Sequence, residues 1–160
     1  THMEMPTVTA SAAELERDIA PFRGLADTPV GMTGHLLFTA WDDANPATLS
    51  PTVVADVIRG QIGFDGLLLT DDIDMEALDG TVPERSERAI AAGCDLVLNC
   101  WAKMDDMIGI ATRVPALSGK GAERLDRALA AMGDAPDSFD TTELLAKRDA
   151  LLAIAAERMA

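Results

Sequence analysis

Asp71 and Asp72 close the run Gly66-Leu67-Leu68-Leu69-Thr70-Asp71-Asp72. A short apolar run bounded by turn residues reads as a buried strand, here opened by Gly63-Phe64-Asp65-Gly66. Such a strand delivers its terminal carboxylate to the carboxyl edge of a sheet, where α/β folds bind ligands and carry out chemistry. On a rigid strand end, an ionised Asp suits a nucleophile or an electrostatic anchor. The same position also suits an N-cap for the helical-looking segment Ile73-Asp74-Met75-Glu76-Ala77-Leu78. Neighbouring strand residues face opposite ways, so one of the two carboxylates can enter a pocket while the other caps the next segment. Position alone does not choose between them. Asp74 and Glu76 read as solvated charges.

Other residues bear on the same edge. His35 lies on the preceding predicted strand, where it can reach a pocket mouth as a substrate-binding residue or serve as a buried, hydrogen-bonded structural histidine. Trp41 follows a strand end and either stacks on a ligand or covers a rim. Met32, Met75 and Cys94 read as core filling. Cys94 and Cys100 stand at the two ends of one predicted strand, roughly 20 Å apart when extended, beyond disulfide reach. Two cysteines and two histidines without clustering give no zinc pattern.

These groups must be positioned by alternating elements. Ser11-Ala12-Ala13-Glu14 forms a capping box for a helix to about Leu25, in which Pro21 predicts a kink or break. A strand is expected over Val30 to Thr39, then a loop from Trp41 to Leu49. Ser50 and Pro51 supply an N-cap and first-turn proline for a helix on which Val53, Val54, Val57, Ile58 and Ile62 share a face. After the strand Leu67 to Thr70, a second capping box, Thr81-Val82-Pro83-Glu84, opens a helix ended by Gly93. The strand Asp95 to Asn99 follows, and helices are expected over 105–114, 122–132 and 141–158. Alternation of this kind means a parallel sheet with crossover helices. Three parallel strands buried on both faces need neighbours, and the chain shows no leading strand. The expected fold is therefore α/β, the C-terminal part of a (β/α)8 TIM barrel over residues 1–132, with a C-terminal helix packed on the barrel over 133–160.

The chain has 160 residues, 48% hydrophobic and 25% charged, which is ordinary for a globular domain. Asp and Glu outnumber Lys and Arg by 27 to 13, for a net charge of -14, a balance that repels nucleic acid and anionic membranes. No apolar run approaches bilayer length. A receiver-like phosphoacceptor domain would also place an Asp at a strand end. It would further need an acidic pair on an earlier strand and a lysine on a later one. Here Asp42-Asp43 falls in a loop, and Lys103, Lys120 and Lys147 fall in helical stretches.

The segment from Ile62 to Met75 resembles the nucleophile segment of family 3 glycoside hydrolases, in particular the bacterial β-N-acetylglucosaminidases of peptidoglycan recycling. Pro21-Phe22-Arg23, Gly31-Met32-Thr33-Gly34-His35-Leu36, Glu84-Arg85 and Ala91-Ala92-Gly93-Cys94-Asp95-Leu96-Val97-Leu98 continue the likeness in order, to about Cys100. The resemblance favours Asp71 over Asp72 as nucleophile. Thr1-His2-Met3-Glu4-Met5-Pro6 is similar to the family's Asp-Ser/Thr-His loop without its Asp, which would make His2 the general acid/base. His2-Met3 also has the form of a cloning remnant.

The resemblance implies hydrolysis of terminal β-linked N-acetylglucosamine with retention, through a glycosyl-Asp intermediate and without metal or organic cofactor. The implied substrates are cytoplasmic muropeptides or chito-oligosaccharides. The N-terminal half of the barrel would be a missing partner, and a non-catalytic scaffold of the same fold is the alternative. At the end of the last strand, Asn99 and Trp101 stand where the family carries polar residues after a Cys. Trp101 departs from that pattern.

Overall fold

A computed structural model describes residues 4–133 and 141–157, with the side chains of 155–157 excepted. Its centre is a set of parallel strands with helices on one side. β1 (Thr7–Val8) pairs with β3 (Leu37–Phe38), while β2 (Val30–Met32) pairs with β4 (Leu67–Asp72), which pairs with β5 (Leu96–Leu98). Every pairing is parallel. β2 and β3 belong to one stretch of chain, so the neighbours run in sequence order: β1, β2 with β3, β4, β5. Parallel strands adjacent in chain order, joined by helices, are the construction of a β/α barrel.

The sequence pattern is met with specific differences. The expected strand over Val30 to Thr39 is broken at Thr33 to Leu36, because the two parts serve different neighbours. A leading strand does exist. β1 is two residues long, too short for a periodicity of two to register. The segment Ile73 to Leu78 forms turns and not a helix.

Helix α1 (Ala12–Arg23) begins at the Ser11–Glu14 capping box and passes through Pro21 before stopping two residues later. Ser50 caps as expected, its Oγ accepting the Val53 N–H at 3.1 Å. The helix it starts winds as a π-helix over Val53–Ile62. Helix α2 (Val82–Ala92) follows the Thr81–Glu84 capping box and ends at Gly93, whose φ of 112° suits a residue without Cβ. Helices α3 (Met104–Arg113) and α4 (Gly119–Ala131) complete the layer.

Register separates the two sheet faces. Gly31 stands opposite Leu68, and Leu68 packs with Val54, Phe64, Ala92 and Cys94 under the helices. Val30 and Met32 stand opposite Leu67 and Leu69 on the other face. There Met32 is 56% exposed and Val30 48% exposed. Met32 is therefore not core filling as expected. It lies on the concave face, which no layer among the described residues covers at that point. Met75 and Cys94 are buried as read.

A charged latch closes the amino ends of β4 and β5. Asp95 accepts from Arg59 at 2.9 Å, from Arg124 at 3.0 Å and from the Leu68 N–H at 2.9 Å. Arg124 and Arg127 also hold the Asp65 carboxylate, and the Arg124 hydrogen bond keeps that carboxyl below the ordinary Asp value.

Helix α5 (Thr141–Glu157) forms where expected. The expectation that it packs on the barrel is not met, because Thr141 to Ile154 are exposed throughout. Leu144 and Leu151, and Leu145 and Leu152, repeat at seven residues on one face of the helix, and that face is exposed.

Candidate active site at the carboxyl edge of the sheet

The end of β4 is built to treat its two aspartates differently. Between Leu69 and Asp72 the register with β5 slips: Leu69 pairs with Leu96, and Asp72 with Leu98. Three steps along β4 thus match two along β5, a bulge of the kind that re-aims side chains beside functional sites. The bulge is supported by side chains. Thr70, fully buried, accepts the Leu98 N–H on its Oγ1 at 2.9 Å, and the Leu98 carbonyl accepts the Ile73 N–H at 2.9 Å.

Asp72 is occupied by structure. Its Oδ1 accepts the backbone N–H of Asp74 at 3.2 Å and of Cys100 at 3.0 Å, tying the end of β4 to the end of β5. It caps as expected, although what it caps is a turn. Asp71 is half-buried, and its Oδ1 accepts only the adjoining Asp72 N–H, at 2.8 Å. Among the described residues no hydrogen bond reaches its second oxygen. Leu67 and Leu69 face the concave side, and the bulge interrupts that alternation before Asp71 is reached.

His35 does not offer itself to a ligand. It is fully buried, with Nε2 2.9 Å from the Asp72 carbonyl and Nδ1 2.9 Å from Thr48 Oγ1. A carbonyl only accepts, so Nε2 carries the proton. The expected substrate contact is thereby replaced by a positioning one. Both ring nitrogens are engaged within the protein, and the ring braces the backbone next to Asp71. Thr48 is also fully buried and lies 2.8 Å from Thr33 Oγ1.

Arg85 adds a second brace, donating through Nη1 to the carbonyls of Ile73 and Met75 at 3.1 Å each. Thr48, Thr70 and Arg85 were not singled out by sequence. Only the position of Arg85 directly after a capping box pointed towards the turn it holds.

Trp41 packs against Phe38, with ring centroids 4.8 Å apart, and joins the cluster of Ile19, Ala47, Val53 and Val57. It covers the core there. Asp42 accepts the Ser50 hydroxyl at 2.6 Å and the N–H groups of Ala44 and Asn45 at 3.0 Å each. Those bonds hold its carboxyl below the ordinary Asp value.

Cys100 sits beside the aspartates. Desolvation and then the charges of Asp72 and Asp71 push its thiol upward, so it stays neutral at pH 7. Burial pushes the Cys94 thiol up to about 12. Neither cysteine is in a disulfide. The expected acid/base His2 lies outside the described residues. Among the described residues no group of His, Cys, Asp and Glu is arranged to hold a metal ion.

Parallel strands in chain order with carboxylates on the carboxyl rim define a portion of a β/α-barrel enzyme fold. Residues 1–130 match the model of the glycosyl hydrolase family 3 N terminal domain, and the chain belongs to that family. A beta-hexosaminidase of Chromobacterium violaceum is 37% identical over 163 residues, which takes in 99% of this chain and 44% of that protein. The structure of a family 3 beta-N-acetylglucosaminidase from Paenibacillus sp. superposes with a TM-score of 0.68 at 30% identity, over 87% of this chain and 30% of that one. NagZ from Neisseria gonorrhoeae in complex with N-trifluoroacetyl-D-glucosamine superposes at 0.64 with 30% identity, over 79% of this chain and 37% of that one. The chain thus spans less than half the length of these relatives.

Proposed function

We propose that this chain carries the nucleophile-bearing part of a retaining β-N-acetylhexosaminidase. The observation that carries the reading is the division of labour at the end of β4. Asp72 Oδ1 accepts two backbone N–H groups, one of them from the end of β5, while Asp71 accepts only the adjoining Asp72 N–H. A retaining glycosidase needs one carboxylate below the anomeric carbon and an acid beside the leaving oxygen. Asp71 attacks the anomeric carbon as the glycosidic bond breaks, giving a glycosyl-Asp ester. His2 protonates the departing oxygen, then removes a proton from the water that opens the ester. An imidazole titrating near neutrality serves in both directions.

The substrate is a terminal β-linked N-acetylglucosamine on a muropeptide or chito-oligosaccharide. Support comes from the relatives, which are named for hexosamine cleavage, one of them holding an N-acylglucosamine analogue. The site of action is the cytoplasm, on the likeness to recycling enzymes, and the remaining strands of the barrel act as partner. No helix among the described residues is long and apolar enough to cross a membrane.

Hydrolysis of a para-nitrophenyl N-acetyl-β-glucosaminide by the chain, alone and with a polypeptide supplying the remaining strands, tests the reading. Asp71→Asn should lower kcat at least about a thousandfold. Asp72→Asn should act first on stability. An Asp71→Asn chain as active as the wild type contradicts the proposal, and absence of turnover in both settings favours the scaffold alternative.

A further inference from the structure

The carboxyl end of β5 carries an element the mechanism does not use. Trp101 is 72% exposed, one residue beyond the N–H that Asp72 holds at 3.0 Å and one strand away from Asp71. Its backbone is fixed on both sides. Cys100 is bonded to Asp72, and the Ala102 N–H is accepted by Asn99 Oδ1 at 3.3 Å. Ala102 adopts a left-handed φ of 48°, a strained setting for a residue with a Cβ, of the kind that clusters at ligand clamps. The Asn99 Nδ2 group is buried with no partner among the described residues.

A pinned, strained loop that holds a large indole in water is poised to bind. We propose that Trp101 is a carbohydrate-stacking residue, receiving the apolar face of a hexopyranose ring beside Asp71. The inference rests on the glycosidase reading and adds to it a binding residue for the substrate. An indole combines a broad apolar face with a polar edge, matching a pyranose, whose ring C–H groups lie between hydroxyls. A neutral sugar also approaches an acidic chain of net charge -14 without repulsion.

The chain has two tryptophans, and Trp41 is packed on Phe38, so Trp41→Phe leaves Trp101 as sole reporter. Titrating that variant with N-acetylglucosamine and with di-N-acetylchitobiose should shift the tryptophan emission saturably. By calorimetry, Trp101→Ala should weaken the Kd about tenfold, the size of one aromatic contact, and Trp101→Phe should recover most of it. An emission unmoved by either sugar overturns the proposal. So does a Trp101→Ala chain, folded by circular dichroism, whose Kd is unchanged or whose only defect is in association between chains. Adding a fluorinated N-acetylglucosaminyl substrate that traps the glycosyl-enzyme, to the chain with Asp71 intact, separates the two readings. A sugar-dependent shift that persists without any covalent labelling of Asp71 leaves stacking standing and removes the nucleophile. Labelling of Asp71 with a silent Trp101 does the reverse.

Discussion

At the scale of single residues, the edge separates groups that act from groups that hold. Asp71 and Asp72 are the same side chain one position apart, and hydrogen bonding alone distinguishes them. His35 is a holding residue: replacing it with Ala removes one hydrogen bond each from the Asp72 carbonyl and Thr48 and opens a cavity in a fully buried site. That variant should lose about 2–4 kcal/mol, seen as a lower urea midpoint. Asp42 ties folding to pH. Its folded pKa lies below its ordinary value of 3.8, held there by the Ser50 hydroxyl first and then by backbone N–H groups. Its contribution is complete above the ordinary Asp value and is lost as pH falls through the lowered one. Thermal melts from pH 6 downward should therefore steepen in their decline below about pH 4, and Asp42→Asn should flatten that limb.

At the scale of elements, the sequence announced whatever was written in local chemistry. Both capping boxes, the Ser50 cap and the Gly93 stop are short-range devices, and each is found where its residues stand. Long-range pairing was not legible. The split of one stretch into β2 and β3 depends on which neighbour each half meets, and the two-residue β1 exists only because β3 lies beside it. The bulge at Thr70 and Asp71 needs the register of β5 to be seen at all. For the site, the Asp-Asp pair was visible in sequence, whereas its division of labour depends on Cys100, which lies 28 residues on.

Packing gives two tests at this scale. Gly93→Ala meets both a φ of 112° and Val54 at 2.9 Å, and should cost about 1–3 kcal/mol. Arg59→Met removes an ion pair to Asp95, whose side chain is only 7% exposed, and should cost about 2–4 kcal/mol in denaturant unfolding.

At the scale of the molecule, part of the concave face is uncovered among the described residues. Val30 and Met32 are exposed there, and unpaired strand edges invite association. Sedimentation of the chain should show a weight-average mass that rises with concentration, and Met32→Lys should reduce that rise. A mass constant across the range would show that this face is covered in solution by other means.

The central claim is that Asp71 forms the covalent bond to sugar. It is tested most directly by intact mass and peptide mapping after exposure to a fluorinated N-acetylglucosaminyl substrate that traps the glycosyl-enzyme, using the chain completed by the remaining strands of its barrel. A single sugar adduct mapped to Asp71 is the expected result. An adduct on Asp72, or a completed barrel that turns over substrate and carries none, would contradict it.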